Sequence, residues 1–278
     1  MADIKLNVAV GQMDCALGNV EANINKISRF AELARHLGAD LVVFPECCTT
    51  GYFLGERVKA LAEAPDGPSS KALGEIARAN KLHLAAGLYT QQNGAICNSQ
   101  LLFSPDGTAI GVYHKAHLFS TERQLYKPGD KPVVINTALG KIGMTICYDL
   151  IFPDYVRRLV ELGADFIINS TDWITDPYQR NVWGWDGERT QGLASTRALE
   201  NVIVLAMANR VGHETAAPGL EFDSFGHSCV VSPSGQILAS LPAGEGVALA
   251  KIDIASAELE RWQSIATYRT DRRPELYR

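Results

Sequence analysis

No stretch of this 278-residue chain approaches the ~20 consecutive apolar residues that a membrane-crossing helix needs. Its first residues, MADIKLNVAVGQMD, place no charged leader before a long apolar segment, so no signal peptide is predicted. Cysteine is sparse: six residues, at 15, 47, 48, 97, 147 and 229, with no Cys-x-x-Cys pair among them. That spacing argues against a zinc site of that kind, and the thiols of a chain without a secretory leader read as reduced and cytoplasmic. An excess of positive charge is missing too: 26 Lys and Arg stand against 31 Asp and Glu, a net charge of −5. Binding to nucleic acid needs concentrated basic side chains, and the densest group, Arg269, Arg272, Arg273 and Arg278, reads as a solvated tail. No Ser/Gly-rich linker or low-complexity stretch divides the sequence, which is read as one domain over residues 1–278.

What is present is a soluble globular composition, 46% hydrophobic and 21% charged, long enough to bury a large core without staples or metals. Residues 6–12 alternate as a strand, and residues 19–37 carry Ile24, Ile27, Ala31 and Ala34 at helical spacing. The run ADLVVFPE (39–46) is continuously apolar until Pro45, the pattern of a strand buried on both faces. A helix over 69–80 and a hairpin turning at Pro105-Asp106-Gly107 follow. The second half repeats the theme: a strand at 142–147, a helix at 153–162, the buried strands ADFIINST and NVIVLAMAN, a helix near 187–200, and another Pro/Gly hairpin within SFGHSCVVSPSGQILASL. GADLVVFPE and GADFIINST each leave a helix and enter a buried strand, so the two halves share weak internal symmetry in a layered α/β fold.

Three strand ends collect reactive side chains. Cys147 ends the strand of MTICYDLIFPD, just before Pro153 opens a helix that Gly163 is placed to close. Chemistry in α/β folds gathers at carboxyl ends of strands, although an unpaired cysteine is also a common core residue. Glu46 follows Phe44-Pro45, where desolvation could raise a carboxylate into the range of a general base, or where it could simply cap a loop. Lys115 lies just past a strand in VYHKAHLFSTERQLYKPGD, placed either to stabilise an oxyanion or to face solvent. His114 and His117 flank it and offer a thiol–imidazole pairing with Cys147; a metal site built from these three has no further ligand pair to support it.

Taken in order, VVFPE, YHKAHL and CYDLIFPD resemble the signature segments of the nitrilase superfamily of carbon–nitrogen hydrolases. FGHSCVVSPSGQIL resembles that family's GHS hairpin, and YRTDRRPELY resembles the ending of its small ω-amidase and Nit-type members. The resemblance implies a single-domain, four-layer α-β-β-α sandwich that pairs into a homodimer or higher homo-oligomer. It implies a Glu46–Lys115–Cys147 triad, with Glu122 positioning the lysine or the substrate. Cys147 would attack, Glu46 would carry the proton, and Lys115 with the backbone N–H of Tyr148 would hold the oxyanion. No cofactor, metal, nucleic acid or membrane enters such a reaction; the partner is a small-molecule amide.

Within the family, Trp-Glu after the nucleophile is typical of true nitrilases, whereas Tyr or a similar residue followed by Asp is frequent among amidases and carbamoyl-amide hydrolases. Tyr148 and Asp149 therefore point to a small aliphatic amide or carbamoyl compound. Nitrile hydrolysis and a catalytically silent interaction module are the alternatives; the retention of Glu46, Lys115, Glu122 and Cys147 argues against the second. Residues 171–186, TDWITDPYQRNVWGWD, are rich in aromatics. Trp173, together with Tyr52 and Tyr148, could wall a substrate pocket, and Arg180 could pair with a substrate carboxylate. The same aromatics could instead pack the segment or a subunit contact.

Overall fold

The computed structural model describes residues 4–217, 219–265 and 267–276. Arg278 of the basic tail and Tyr277 of the family-like ending lie outside them. The chain builds one sheet with its first half. Strands β1 (Ile4–Asp14), β2 (Leu41–Val43) and β3 (His83–Gln92) run parallel; β4 (Ala95–Phe103) and β5 (Ala109–His114) return antiparallel. The second half builds the other sheet from β6 (Val133–Thr137), β7 (Gly140–Ile146), β8 (Phe166–Thr171), β10 (Val204–Ala217), β12 (Cys229–Val231) and β13 (Ile237–Ser240). Two short strands, β9 (Ile174–Thr175) and β11 (Leu220–Phe225), extend the far end of β10. The last strand, β14 (Gly246–Ile254), pairs antiparallel with β1, as β6 does with β7. The sheets meet where β1 and β10 pair at Met13–Arg210 and Asp14–Val211.

The internal symmetry expected from the sequence is thus a repeated topology. Three parallel strands are followed by an antiparallel hairpin, and one antiparallel strand flanks the first of the three. Alternation assigns each residue a layer. Val8, Val10, Leu41 and Val43 face the other sheet, where they join Met144, Ile146, Ile168 and Ala206 in one core. Ala9, Val42, Phe44 and Leu84 face outward onto Ile27, Ala31 and Leu73 of the helices Val20–His36 and Pro68–Asn80. The helices Pro153–Glu161 and Gly187–Asn201 cover the other sheet through Val156, Leu159, Ala194 and Ala198. This is the α-β-β-α order.

On helix Val20–His36 the expected stripe shifts by one residue. Asn23 is buried fully and Ile24 only partly, because the Asn23 amide bonds the backbone of Ala16 and the carbonyl of Thr49. Such bonds compensate the cost of taking an amide out of water. Among the described residues no helix is long and apolar enough to cross a membrane.

Candidate active site

Sheet geometry delivers the candidate residues to one place. Glu46 follows the end of β2, Cys147 follows β7, Asp172 follows β8, and Lys115 follows β5. The turn carrying Glu46 is pressed against β3 at Gly87. A Cβ there would lie 2.5 Å from the Cys47 nitrogen and 2.7 Å from Glu46 Cα, so only glycine admits the approach.

Glu46 is fully buried. Its Oε1 accepts from Lys115 Nζ at 2.7 Å and from the Asn98 amide at 2.6 Å, and its Oε2 accepts from the backbone N–H of Asp172 at 3.0 Å. Lys115 Nζ reaches Glu122 Oε2 at 2.8 Å. Glu122 in turn accepts from the Phe119 N–H and from the same Asn98 amide. Burial pushes Glu46 up to about 7 against the pull of Lys115 in the other direction. Burial alone would lower Lys115, but Glu122 and Glu46 outweigh it and hold the ammonium well above its usual range.

Cys147 occupies the elbow between β7 and the 3-10 turn Cys147–Ile151, at φ +43. Few residues other than glycine adopt that conformation, and strained backbone of this kind clusters at functional sites. The thiol is buried and lies 3.7 Å from the Asp172 carbonyl. Burial first, then Glu46, raises its pKa well above the thiol range, with Lys115 opposing.

The elbow is tied down by Asp149. Its Oδ2 accepts from the Ile146 N–H at 2.9 Å and from the Tyr113 hydroxyl at 2.7 Å; its Oδ1 accepts from the His117 N–H and sits 2.8 Å from His117 Nδ1. His117 is therefore engaged with Asp149 and stacks on Phe152, and His114 Nδ1 faces the Ser99 hydroxyl at 2.8 Å. Both rings hold structural positions. Among the described residues no group of three or more His, Cys, Asp or Glu is set to hold a metal ion.

A cavity of about 270 Å³ opens beside Cys147 and Tyr148, walled by Tyr52, Trp173, Trp183 and Trp185. A second, of about 280 Å³, shares Tyr52, Phe119 and Ile174 with it and reaches Glu122. Tyr52, Tyr148 and Trp173 thus line the cavity where a pocket was expected. Arg180 lines neither cavity. It belongs to a short helix, Pro177–Trp183, and its Nη2 donates to Asp223 at 2.5 Å on the outer surface.

Sequence reasoning missed four polar residues that frame the site: Asn98, Asp149 in its anchoring role, Asp172 and Arg210. Asn98 had a readable signal, since Asn98-Ser99-Gln100 interrupt an otherwise apolar strand and all three are buried. Arg210 is fully buried, binding Asp172 Oδ2 at 3.0 Å and Glu214 Oε1 at 2.5 Å.

A buried carboxylate–ammonium–carboxylate array beside a strained thiol matches what the sequence motifs imply. The profile of the family described as carbon-nitrogen hydrolase matches residues 7–261. The chain belongs to the carbon–nitrogen hydrolase family. It is 32% identical over 281 residues to the 2-oxoglutaramate amidase of Bacillus subtilis, covering 99% of this chain and 100% of that protein. It is 31% identical over 277 residues to a nitrilase of Pyrococcus abyssi, covering 98% and 99%. Among solved structures, a variant of the amidase from Nesterenkonia sp. AN1, carrying acrylamide added at its active-site cysteine, superposes with a TM-score of 0.81. The two are 25% identical, with 98% of each chain covered. The fold is thus that of the nitrilase superfamily, and Glu46, Lys115 and Cys147 of this carbon–nitrogen hydrolase are buried together.

Proposed function

We propose that this carbon–nitrogen hydrolase cleaves a small amide through a thioester on Cys147. The observation that carries the reading is the Glu46–Lys115–Glu122 array beside the strained Cys147 thiol. An attacking thiol must lose its proton, and Glu46, pushed up to about 7, is a base matched to neutral pH. Lysine has three N–H donors; Glu46 and Glu122 take two, which leaves the third for developing negative charge. The Tyr148 N–H lies in the first turn after β7, where backbone donors have no intrahelical acceptor.

The steps follow. Cys147 Sγ adds to the amide carbonyl as Glu46 accepts the thiol proton; Lys115 and the Tyr148 N–H hold the oxyanion. Collapse breaks the C–N bond, and ammonia or an amine leaves with the proton from Glu46. A water then gives a proton to Glu46 and adds to the thioester. The second collapse releases the acid and returns the sulfur to its protonated state. One water is consumed for each amide cleaved.

The names of the relatives point to both amides and nitriles, so the choice rests on Tyr148-Asp149 after the nucleophile. The acrylamide adduct of the Nesterenkonia amidase supports a cysteine nucleophile here, and the chain is proposed to act as a homo-oligomer. Ammonia release from amides, ureido acids and nitriles, with wild type and Cys147→Ala, tests the reading. Amide turnover that vanishes with Cys147 is expected. Turnover of nitriles alone, or turnover surviving in Cys147→Ala, overturns it.

A further inference from the structure

We infer that the acyl side of the substrate is a neutral apolar group, aryl or alkyl, and not a carboxylate-bearing chain. The inference rests on the Cys147 chemistry proposed above and adds the substrate's character to it. The wall nearest the sulfur is almost wholly apolar: Tyr148, Ile151, Trp173, Trp183 and Trp185. Trp173 and Trp185 meet edge to face with centroids 5.6 Å apart, forming a stiff corner. Flat or branched apolar groups gain from such a surface in proportion to the area they remove from water.

The charged side chain of that wall, Asp172, is already committed, and the indole N–H of Trp173, buried without a partner, is a neutral donor that cannot neutralise a carboxylate. Asp172 binds Arg210 and the Ser224 hydroxyl, and the Gln179 side-chain oxygen accepts from the Asp176 N–H at the start of its own helix. Among the described residues no Lys, Arg or His lines this cavity or the adjoining one, which instead carries Glu122. Lys115 is held by two glutamates, with its third N–H assigned to the oxyanion, and Arg180 is held by Asp223. A substrate carboxylate would lose its water against aromatic rings and find no counter-charge, a transfer that is strongly unfavourable. An ammonium group could find ring faces, so it is the competing case to be measured.

The test compares kcat/KM for three amides that differ in their acyl group: phenylacetamide, succinamate and 4-aminobutanamide, each beside the nitrile of the same acyl skeleton. Phenylacetamide should exceed both charged amides by about tenfold or more, in line with the discrimination expected of apolar pockets. Trp183→Ala, at a residue 63% exposed and so tolerant of truncation, should raise KM for phenylacetamide more than for acetamide. Gln179→Arg should narrow the gap between phenylacetamide and succinamate. A charged amide equal to or better than phenylacetamide overturns the inference. If only nitriles are consumed, the amide reading fails, and the ranking among the nitriles decides this inference separately. Activity surviving Cys147→Ala, or no turnover of any compound, overturns both.

Discussion

Glu46 Oε1 and Lys115 Nζ lie 2.7 Å apart, and neither side chain has any exposed surface. A pair so fully desolvated is poor evidence of stabilisation, because removing two charges from water costs about what their attraction returns. Its value is in what it does to the groups around it. Lys115 opposes the desolvation of Glu46, keeps Glu122 engaged and favours charge on Cys147.

Lys115→Met keeps much of the stem and deletes the charge. The turnover number should fall about 100-fold or more, the scale seen when an oxyanion donor is removed. Without the ammonium, Glu46 should also hold its proton to higher pH, moving the acid limb of the residual activity upward. Steady-state kinetics across pH, with circular dichroism to confirm folding, read both effects. A variant altered only in KM would remove Lys115 from the chemical step.

In the proposed mechanism Glu46, as the base, sets the pH dependence. A base works when deprotonated, so kcat/KM should fall as pH drops through about 7. It should stay level on the alkaline side through the ordinary thiol range, because Cys147 is raised well above it. The linkage runs the opposite way for stability. A folded pKa raised above the unfolded value of about 4.3 means that the folded state holds the proton more tightly. That contribution is full at low pH and is lost as pH rises through about 7. Glu46→Gln, inactive but neutral, should therefore melt higher than wild type at pH 8, with a smaller gap at pH 5. An equal gap at both would exclude a buried, proton-linked Glu46.

The sequence made the chemistry-bearing positions readable and left their supports hidden, for a physical reason. Glu46, Lys115 and Cys147 sit at strand ends that periodicity marks, and the resemblance of VVFPE, YHKAHL and CYDLIFPD to nitrilase-superfamily segments singles them out. Asn98, Asp172 and Arg210 matter through partners remote along the chain, such as Glu46 and Asn98, 52 positions apart. Only the fold pairs them. Arg180 shows the reverse: its residue type suited carboxylate recognition, but β11 brings Asp223 within reach of its guanidinium. The histidines beside Lys115 are likewise claimed by Asp149 and Ser99.

Asp149 accepts from two backbone N–H groups and the Tyr113 hydroxyl while facing His117 Nδ1, which suits a carboxylate with two acceptor oxygens. Asp149→Asn replaces one acceptor with a donor and leaves at least one of the two backbone N–H groups without an acceptor in a buried setting. At about 1–3 kcal/mol for each group left unsatisfied, the protein should melt lower by several degrees. Because the Ile146 N–H holds the strand end just before Cys147, kcat should fall as well. Wild-type kcat at reduced melting temperature would show that the elbow keeps its shape without this anchor.

Arg210 is the other buried anchor, and it works at one remove from the chemistry. Its guanidinium joins Asp172 to Glu214, and Glu214 accepts from the N–H groups of Tyr52 and Phe53, on the segment that walls both cavities. Asp172 meanwhile presents its N–H to Glu46 and its carbonyl to Cys147. Arg210→Met would leave two buried carboxylates without a cation, a loss of about 3–5 kcal/mol. For a chain of this size that corresponds to a melting temperature lower by roughly 10 °C. Arg210→Lys restores charge but cannot span both carboxylates with a planar fork, so it should recover stability only in part. Both variants should lose kcat together with stability, because the Asp172 backbone contacts both Glu46 and Cys147, the proposed base and nucleophile. If either variant melts early but turns over at the wild-type rate, the array braces the two sheets without fixing the Glu46–Cys147 geometry.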